Sequence, residues 1–495
     1  MSAAIDLFAD FEPSPEIRPI MNVGAGLDVP TGTLVWGERG ETYINGGLPY
    51  VSGVVGRGNM FKSVFSLYFV LSALNRYRRA KALEYDTETS ATMGRIHMLS
   101  KHMENLAGVH LDAAGRFRLT DNTVMYGDEF WVLAKKMCQV KLDNAKAFTC
   151  TAPFRTEKKE IIQILDPTIN FVDSFSMFST KAVNDIYEKN KLGDGAANTD
   201  ALRSAAHKTQ MLMQVPTLTG QAAMYLMMTA HVGKQHQLDA YAPVEKKLAF
   251  LKNASLKNVP EKFTFLTNNL WYVYNSSVLA NKSTKAPEYP RSSADDMEGD
   301  TDLMVILVQN LRGKNGPTGL PFEVVLSQRE GVLASLTEFH MIKSNERFGL
   351  GGNDRNYFLE LLPDVSLSRT TVRAKIDENY KLRRALEITS QMLQMRQLWQ
   401  DPEGVFCTPK ELFNDLKAMG YDWDVLLGET RGHWVFKEDE PFEEKLALST
   451  YDLMRMRKGL YHPFWMPALS DKDAMEKFKA ARAPINPADL MKIAA

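Results

Sequence analysis

The sequence predicts an α/β protein: a mostly parallel, twisted sheet with helices on both faces, followed by a mainly helical C-terminal part. Three observations predict it. Short apolar runs alternate with amphipathic helical patterns from residue 51 to about residue 230, the order that gives parallel strands with crossover helices. A glycine-rich loop stands between the first run and its helix. Beyond residue 341 helical spacing dominates, with aromatic residues enough for a core of its own (Trp399, Trp423, Trp434, Trp465). At 495 residues the chain exceeds one ordinary core, so at least two domains are expected.

The elements follow in order. Residues 1–35, rich in Pro, Gly and Asp, read as a loosely ordered lead-in and a candidate oligomerisation segment. Residues 36–340 read as the main domain and 341–495 as the helical one, with a boundary near 335–350. Within the main domain, residues 51–55, 80–86, 169–173 and 223–230 read as strands, and 62–77 and 199–215 as helices. Residues 273–279, 303–309 and 322–327 add further strands, and the acidic stretch 286–302 reads as a surface loop. Residues 446–460 have apolar positions at helical spacing, and the basic stretch at 455–458 reads as a solvated face.

Composition narrows the function. Hydrophobic residues make up 44% and charged residues 24%, as in soluble globular proteins. The net charge of -1 argues against a large surface that coats nucleic acid, but leaves room for a local basic groove. Cys138, Cys150 and Cys407 form no CxxC pair, which argues against a disulfide framework or zinc site and fits a reducing compartment. The acidic start lacks the pattern of a signal peptide, and no run reaches 18 apolar residues, so no membrane span is expected.

The strongest local signal is Gly56-Arg57-Gly58-Asn59-Met60-Phe61-Lys62-Ser63, between a strand and a helix. A phosphate loop needs exposed backbone N–H groups, a helix N-terminus aimed at the anion, a lysine for the β and γ phosphates and a hydroxyl for Mg²⁺. This octet supplies all four, with Phe61 where the usual pattern has glycine. Asp173 ends an apolar strand, where a carboxylate can hold the water shell of Mg²⁺. Glu88 follows another strand and can orient or deprotonate an attacking water. His231 ends the run AMYLMMTA and can sense a γ-phosphate. In open parallel sheets, ligands bind outside the carboxyl ends of the strands, where all these residues fall.

These residues resemble the RecA-like ATPase superfamily, most closely the phage UvsX-type recombinases. Asn45-Gly46-Gly47-Leu48-Pro49 resembles the GGLP entry of RecA proteins. Phe61-Lys62-Ser63, Tyr85-Asp86-Thr87-Glu88, Val172-Asp173-Ser174 and Thr229-Ala230-His231 are similar to UvsX segments in the same order. Arg312-Gly313-Lys314-Asn315-Gly316-Pro317-Thr318-Gly319 resembles a segment of DnaB-type helicases, with the two basic residues in swapped order. The resemblance spans about residues 40–335.

It implies a P-loop ATPase using ATP and Mg²⁺, with Ser63 and Asp173 at the metal and Glu88 at the water. Arg312 and Lys314 would act on the next subunit's ATP, which makes a filament or hexameric ring part of catalysis. It also implies binding to single-stranded DNA in recombination, repair or replication, in the cytoplasm of a bacterial host if the chain is phage-encoded. The DNA would meet two loops: residues 175–200, with Lys181, Lys189 and Lys191, and the stretch after His231. That stretch holds Lys234, Lys246, Lys247, Lys252, Lys257 and Lys262 among Tyr241, Phe250 and Phe263. A DnaB-type ring helicase and a non-catalytic RecA-fold assembly protein are the rival readings.

Overall fold

The computed structural model describes residues 14–482, except 182, 186–196, 235–247, 249, 252–253 and 354. Nine strands form the continuous path of the main sheet: β1 Val51–Gly56, β2 Lys81–Asp86, β3 Phe117–Asp121, β4 Thr168–Asp173 and β5 Met224–Lys234. The others are β6 Asn269–Val278, β7 Leu303–Gly313, β8 Pro321–Ser327 and β9 Gly331–Val332. Their order across the sheet is β9-β8-β7-β6-β1-β5-β4-β2-β3, and the short strand Ala254–Leu256 pairs with β5 off this path. The neighbours from β6 to β3 all pair parallel. β6 to β9 pair antiparallel. The sheet is therefore mixed and largely parallel, and helices flank it.

Parallel strands buried on both faces need near-continuous apolar sequence. β1 (VSGVVG) is buried at every position. Met224, Tyr225, Leu226, Met227 and Met228 of β5 have no exposed surface. Helix α1, Lys62–Arg76, packs on β1, β5 and β2 through a band that includes Phe65, Phe69 and Ala73. Helices α2, Gly127–Asp143, and α3, Ala197–Ala222, pack on each other, and α3 also packs on β5.

The lead-in differs from the expectation. Between residues 20 and 29 the side chains of Ile20, Met21, Val23, Ala25, Leu27 and Val29 are buried. The Asn22 side chain donates to the carbonyls of Ile44 and Gly46, both at 2.9 Å. The Asp28 carboxylate accepts from the N–H groups of Val23 and Gly24 at 2.7 and 3.0 Å. Composition suggested looseness, but apolar residues recur through the stretch and its polar groups are satisfied. A second, antiparallel sheet was also unforeseen. It runs in the order Thr42–Asn45, Thr33–Gly37, Thr149–Arg155, Ile161–Leu165.

In the stretch 335–350, where the sequence expects a boundary, helix α4, Ala334–Ser344, packs on β8. Leu336, Phe339 and Ile342, on one face, enter a second core with Leu382, Leu386 and Met392 of helix α5, Tyr380–Leu398. The C-terminal part also holds a three-stranded antiparallel sheet, Leu350–Gly352, Tyr357–Leu359 and Leu362–Leu367. Its Trp434 does not join that second core. It is fully buried in the first core, 4.7 Å from Tyr77, and donates to the Ile20 carbonyl at 3.1 Å. Arg455 is another correction. It is buried rather than solvated, and donates to the Gly40 carbonyl at 2.7 Å and to Asp452 at 3.0 Å. Among the described residues no helix is long and apolar enough to cross a membrane.

Candidate active site at the carboxyl end of β1

Parallel pairing aligns strand ends. Gly56 of β1 pairs with His231 of β5, and Asp86 of β2 with Asp173 of β4. The loops that leave these ends enclose a cleft of about 460 Å³. Residues 58–64 line it, with Glu88, Asp173 and His231. Gly58, Asn59, Met60, Phe61, Lys62, Ser63, Glu88, Asp173 and His231 thus meet where the sequence placed them.

The backbone gives Phe61 a meaning that its letter did not. Phe61 has φ +56°, as does Asn59, so both lie in the left-handed region. Glycine reaches that conformation freely, whereas a bulky residue there costs about 1–2 kcal/mol. Phe61 keeps the glycine-like shape and packs its ring against the core. Gly56 is needed for room: a Cβ there would come 2.8 Å from the Val273 carbonyl and 3.2 Å from the Lys62 stem. Arg57 does not line the cleft, but its carbonyl accepts from Lys62 Nζ at 2.8 Å.

Lys62 is only 7% exposed. Burial pushes its ammonium pKa down, and the nearby Asp173 and Glu88 carboxylates oppose the shift. Burial also holds the Asp173 carboxyl above its usual range, against hydrogen bonds from the Ser63 and Thr229 hydroxyls. Glu88 Oε1 lies 3.0 Å from His231 Nε2, with 45% and 31% of the two side chains exposed.

Residues that the sequence reading passed over fix this geometry. The Asp86 carboxylate accepts from the Glu88 N–H at 2.9 Å and also from the N–H groups of Ser90 and Ala91, which pins the loop carrying Glu88. Thr87 ties that loop to β4: its N–H donates to the Asp173 carbonyl at 2.6 Å and its hydroxyl accepts from the Ser174 N–H at 2.7 Å. Thr229 Oγ1 donates to Asp173 Oδ1. Thr229 and His231 sit two apart on one strand and so share a face, a signal the sequence did hold. The His231 N–H donates to Ser176 Oγ at 2.9 Å.

Arg312 and Lys314 are not in this cleft. Leu270 pairs with Gly53 on one side and with Arg312 on the other, so Arg312 lies level with Gly53, about 10 Å along the strand from Gly56. Its guanidinium donates to the carbonyls of Thr267 and Phe265, each at 3.2 Å. Lys314 is exposed beyond it. Desolvation first, then Arg312 and Arg18, push its ammonium pKa down.

The loops expected to meet DNA are covered in part. Lys189, Lys191, Tyr241, Lys246, Lys247, Lys252 and the side chain of Lys234 lie outside the described residues. Lys181 and Lys262 are exposed, and Phe250 is 39% exposed. Lys257 is half-buried. Phe263 is a correction: it is fully buried, its ring stacked at 6.0 Å on Phe175, so no base can reach it.

No protein-family model matches the chain, and no curated protein matches it.

Proposed function

We propose that the chain is a RecA-like DNA recombinase that hydrolyses ATP while assembled on single-stranded DNA. One observation carries this reading: Lys62, Ser63, Glu88 and Asp173, from three separate segments, meet in a cleft at the carboxyl ends of parallel strands. Triphosphate chemistry calls for such a set. The N-terminus of α1 and the Lys62 ammonium suit phosphate oxygens. Ser63 and Asp173 offer a hydroxyl and a carboxylate, the oxygen donors a hard divalent cation takes, and the cleft fits Mg²⁺ on that ground. Bound there, Mg²⁺ would neutralise phosphate charge. Glu88 accepts a proton from the attacking water, and its bond to His231 passes the occupancy of the cleft to β5 and the loop beyond.

Arg312 and Lys314, about 10 Å along the strand from Gly56, serve in this reading the cleft of an adjoining copy. A contact between unlike surfaces of identical chains builds either a filament or a ring. The test is phosphate release with and without single-stranded DNA, beside electron microscopy with an ATP analogue. DNA-stimulated turnover and filaments are the expected result. Closed hexamers that unwind duplex would move the assignment to a ring helicase. Absence of turnover by the wild-type chain would leave a non-catalytic assembly protein.

A further inference from the structure

A second cavity, of about 540 Å³, opens between α1 and the C-terminal part. Tyr68, Ser72 and Arg76 of α1 form one wall, and Arg383, Arg384 and Glu387 of α5 face it. Arg431 and His433 contribute to its lining as well. Arginines dominate the lining: Arg76, Arg291, Arg373, Arg383, Arg384 and Arg431, against the carboxyl groups of Glu104, Glu338, Asp377 and Glu387. Burial pushes the Glu338 carboxyl well above the usual range, so it adds little negative charge.

Each arginine has some partner in its own chain. Arg384 meets Glu387 at 2.6 Å and the Leu448 carbonyl, Arg373 meets Glu330 at 2.5 Å, Arg291 also meets Glu330, and Arg431 donates to the carbonyls of Lys445 and His433. The Nε atoms of Arg384 and Arg373 are buried without an acceptor. Arg76 reaches Asp28 only at 3.4 Å. Arg383 donates to the backbone carbonyls of Ile376 and Asp377 at 3.1 and 3.0 Å. His433 is half-buried, and desolvation together with the field of Arg76, Arg431 and Arg384 pushes its imidazole pKa well down. Gly432 makes room for the wall: a Cβ there would lie 2.5 Å from Arg384 Nη1.

We infer that this cavity binds a small phosphorylated anion, gripped by Arg76 from α1 and by Arg383 and Arg384 from α5. Guanidinium forks arriving from several directions suit a tetrahedral group rich in acceptor oxygens. The volume exceeds what one phosphate needs and lies within the range of small-molecule sites. Since α1 begins at Lys62 and ends at Arg76, an anion here would link the first cleft to the C-terminal part.

The inference does not depend on the reading of the first cleft, and the experiment separates them. Pyrophosphate is titrated calorimetrically into the full chain carrying Lys62→Ala, which disables the first cleft. One pyrophosphate should still bind, and adding Arg383→Gln should weaken it at least tenfold. Arg383 is chosen because its bonds go to backbone carbonyls, so its loss spares the buried ion pairs. Hydrogen exchange of residues 68–76 and 380–387 in the Lys62→Ala protein should slow when pyrophosphate is added, a readout that needs no change in the cavity. A non-hydrolysable ATP analogue that binds more tightly than pyrophosphate assigns a nucleotide, and one that binds more weakly assigns a free polyphosphate. Absence of binding by both probes overturns the inference, as does unchanged affinity in Arg383→Gln or unslowed exchange; the arginines are then an internal ion network.

Discussion

At the carboxyl end of β1, side chains from four segments converge on an open cleft, whereas at its amino end the basic pair Arg312 and Lys314 rests on a packed floor. The first end keeps Glu88 and His231 within reach of solvent, 45% and 31% exposed, above the buried Lys62. The second end leans on the lead-in. The Pro30 carbonyl sits so close to Gly316 that a Cβ there would come within 2.2 Å of it, and Arg312 is held by the carbonyls of Thr267 and Phe265. One end is shaped to admit a ligand, the other to hold a fixed surface. In the proposed assembly, one subunit therefore supplies half of each site.

The largest effect tests that division. Lys62→Ala, and separately Arg312→Ala/Lys314→Ala, should each lower DNA-stimulated ATP turnover about 10³-fold. Mixed in equal amounts, the two inactive proteins should regain activity, because roughly a quarter of head-to-tail contacts then join an intact cleft to an intact basic pair. Phosphate release measures it, and a mixture as inert as its parts would break the comparison.

Glu88→Gln should lower kcat by about 10² to 10³-fold and leave nucleotide affinity nearly unchanged, as read by single-turnover kinetics beside equilibrium binding. A matching loss of affinity would make Glu88 a binding group instead.

The packed end has a pH signature. The Asp28 carboxyl is pushed up to about 6 from its usual 3.8, chiefly by burial. Between those pH values the folded chain keeps a proton that the unfolded chain has released. This group's contribution to stability therefore falls as pH rises through the window, by about 3 kcal/mol at pH 7. Asp28→Asn removes that dependence, so relative to wild type it should gain about 2.4 kcal/mol between pH 4 and pH 7. Denaturant titrations at the two pH values measure it, and parallel curves would mean the lead-in is not buried.

The smallest effect separates the two basic residues. Arg312→Ala should cost about 1–2 kcal/mol of stability through its two carbonyl bonds, while the exposed Lys314→Ala should cost less than about 0.5 kcal/mol. Equal melting temperatures for the two variants would show that Arg312 is not held by its own chain.

Much of the central sheet was legible in the sequence for a physical reason. Strands buried on both faces leave continuous apolar runs, and those at 51–55, 169–173 and 223–230 stand close to β1, β4 and β5. The edge strand β3 was missed because only Phe117 of its five residues is buried. The lead-in was misread because Pro and Gly content says nothing of which apolar residues find a core. In the cleft, Lys62, Ser63, Glu88, Asp173 and His231 were legible from residue type and strand-end position. Asp86 acts through the register of neighbouring strands, which no local pattern carries, whereas Thr229 shares a strand face with His231 and could have been read from the spacing. Phe263 was counted with the basic residues around it, but its ring turns inward onto Phe175.

The separation of Lys62 from Arg312 has a consequence for counting. A row of n copies joined head to tail owns n − 1 complete sites, while a closed ring of n owns n. Output per chain should therefore climb with length in an open row and stay level once a ring has shut. An open row also has two unlike tips, one showing an unserved cleft and the other an unengaged basic pair, so its growth has a direction.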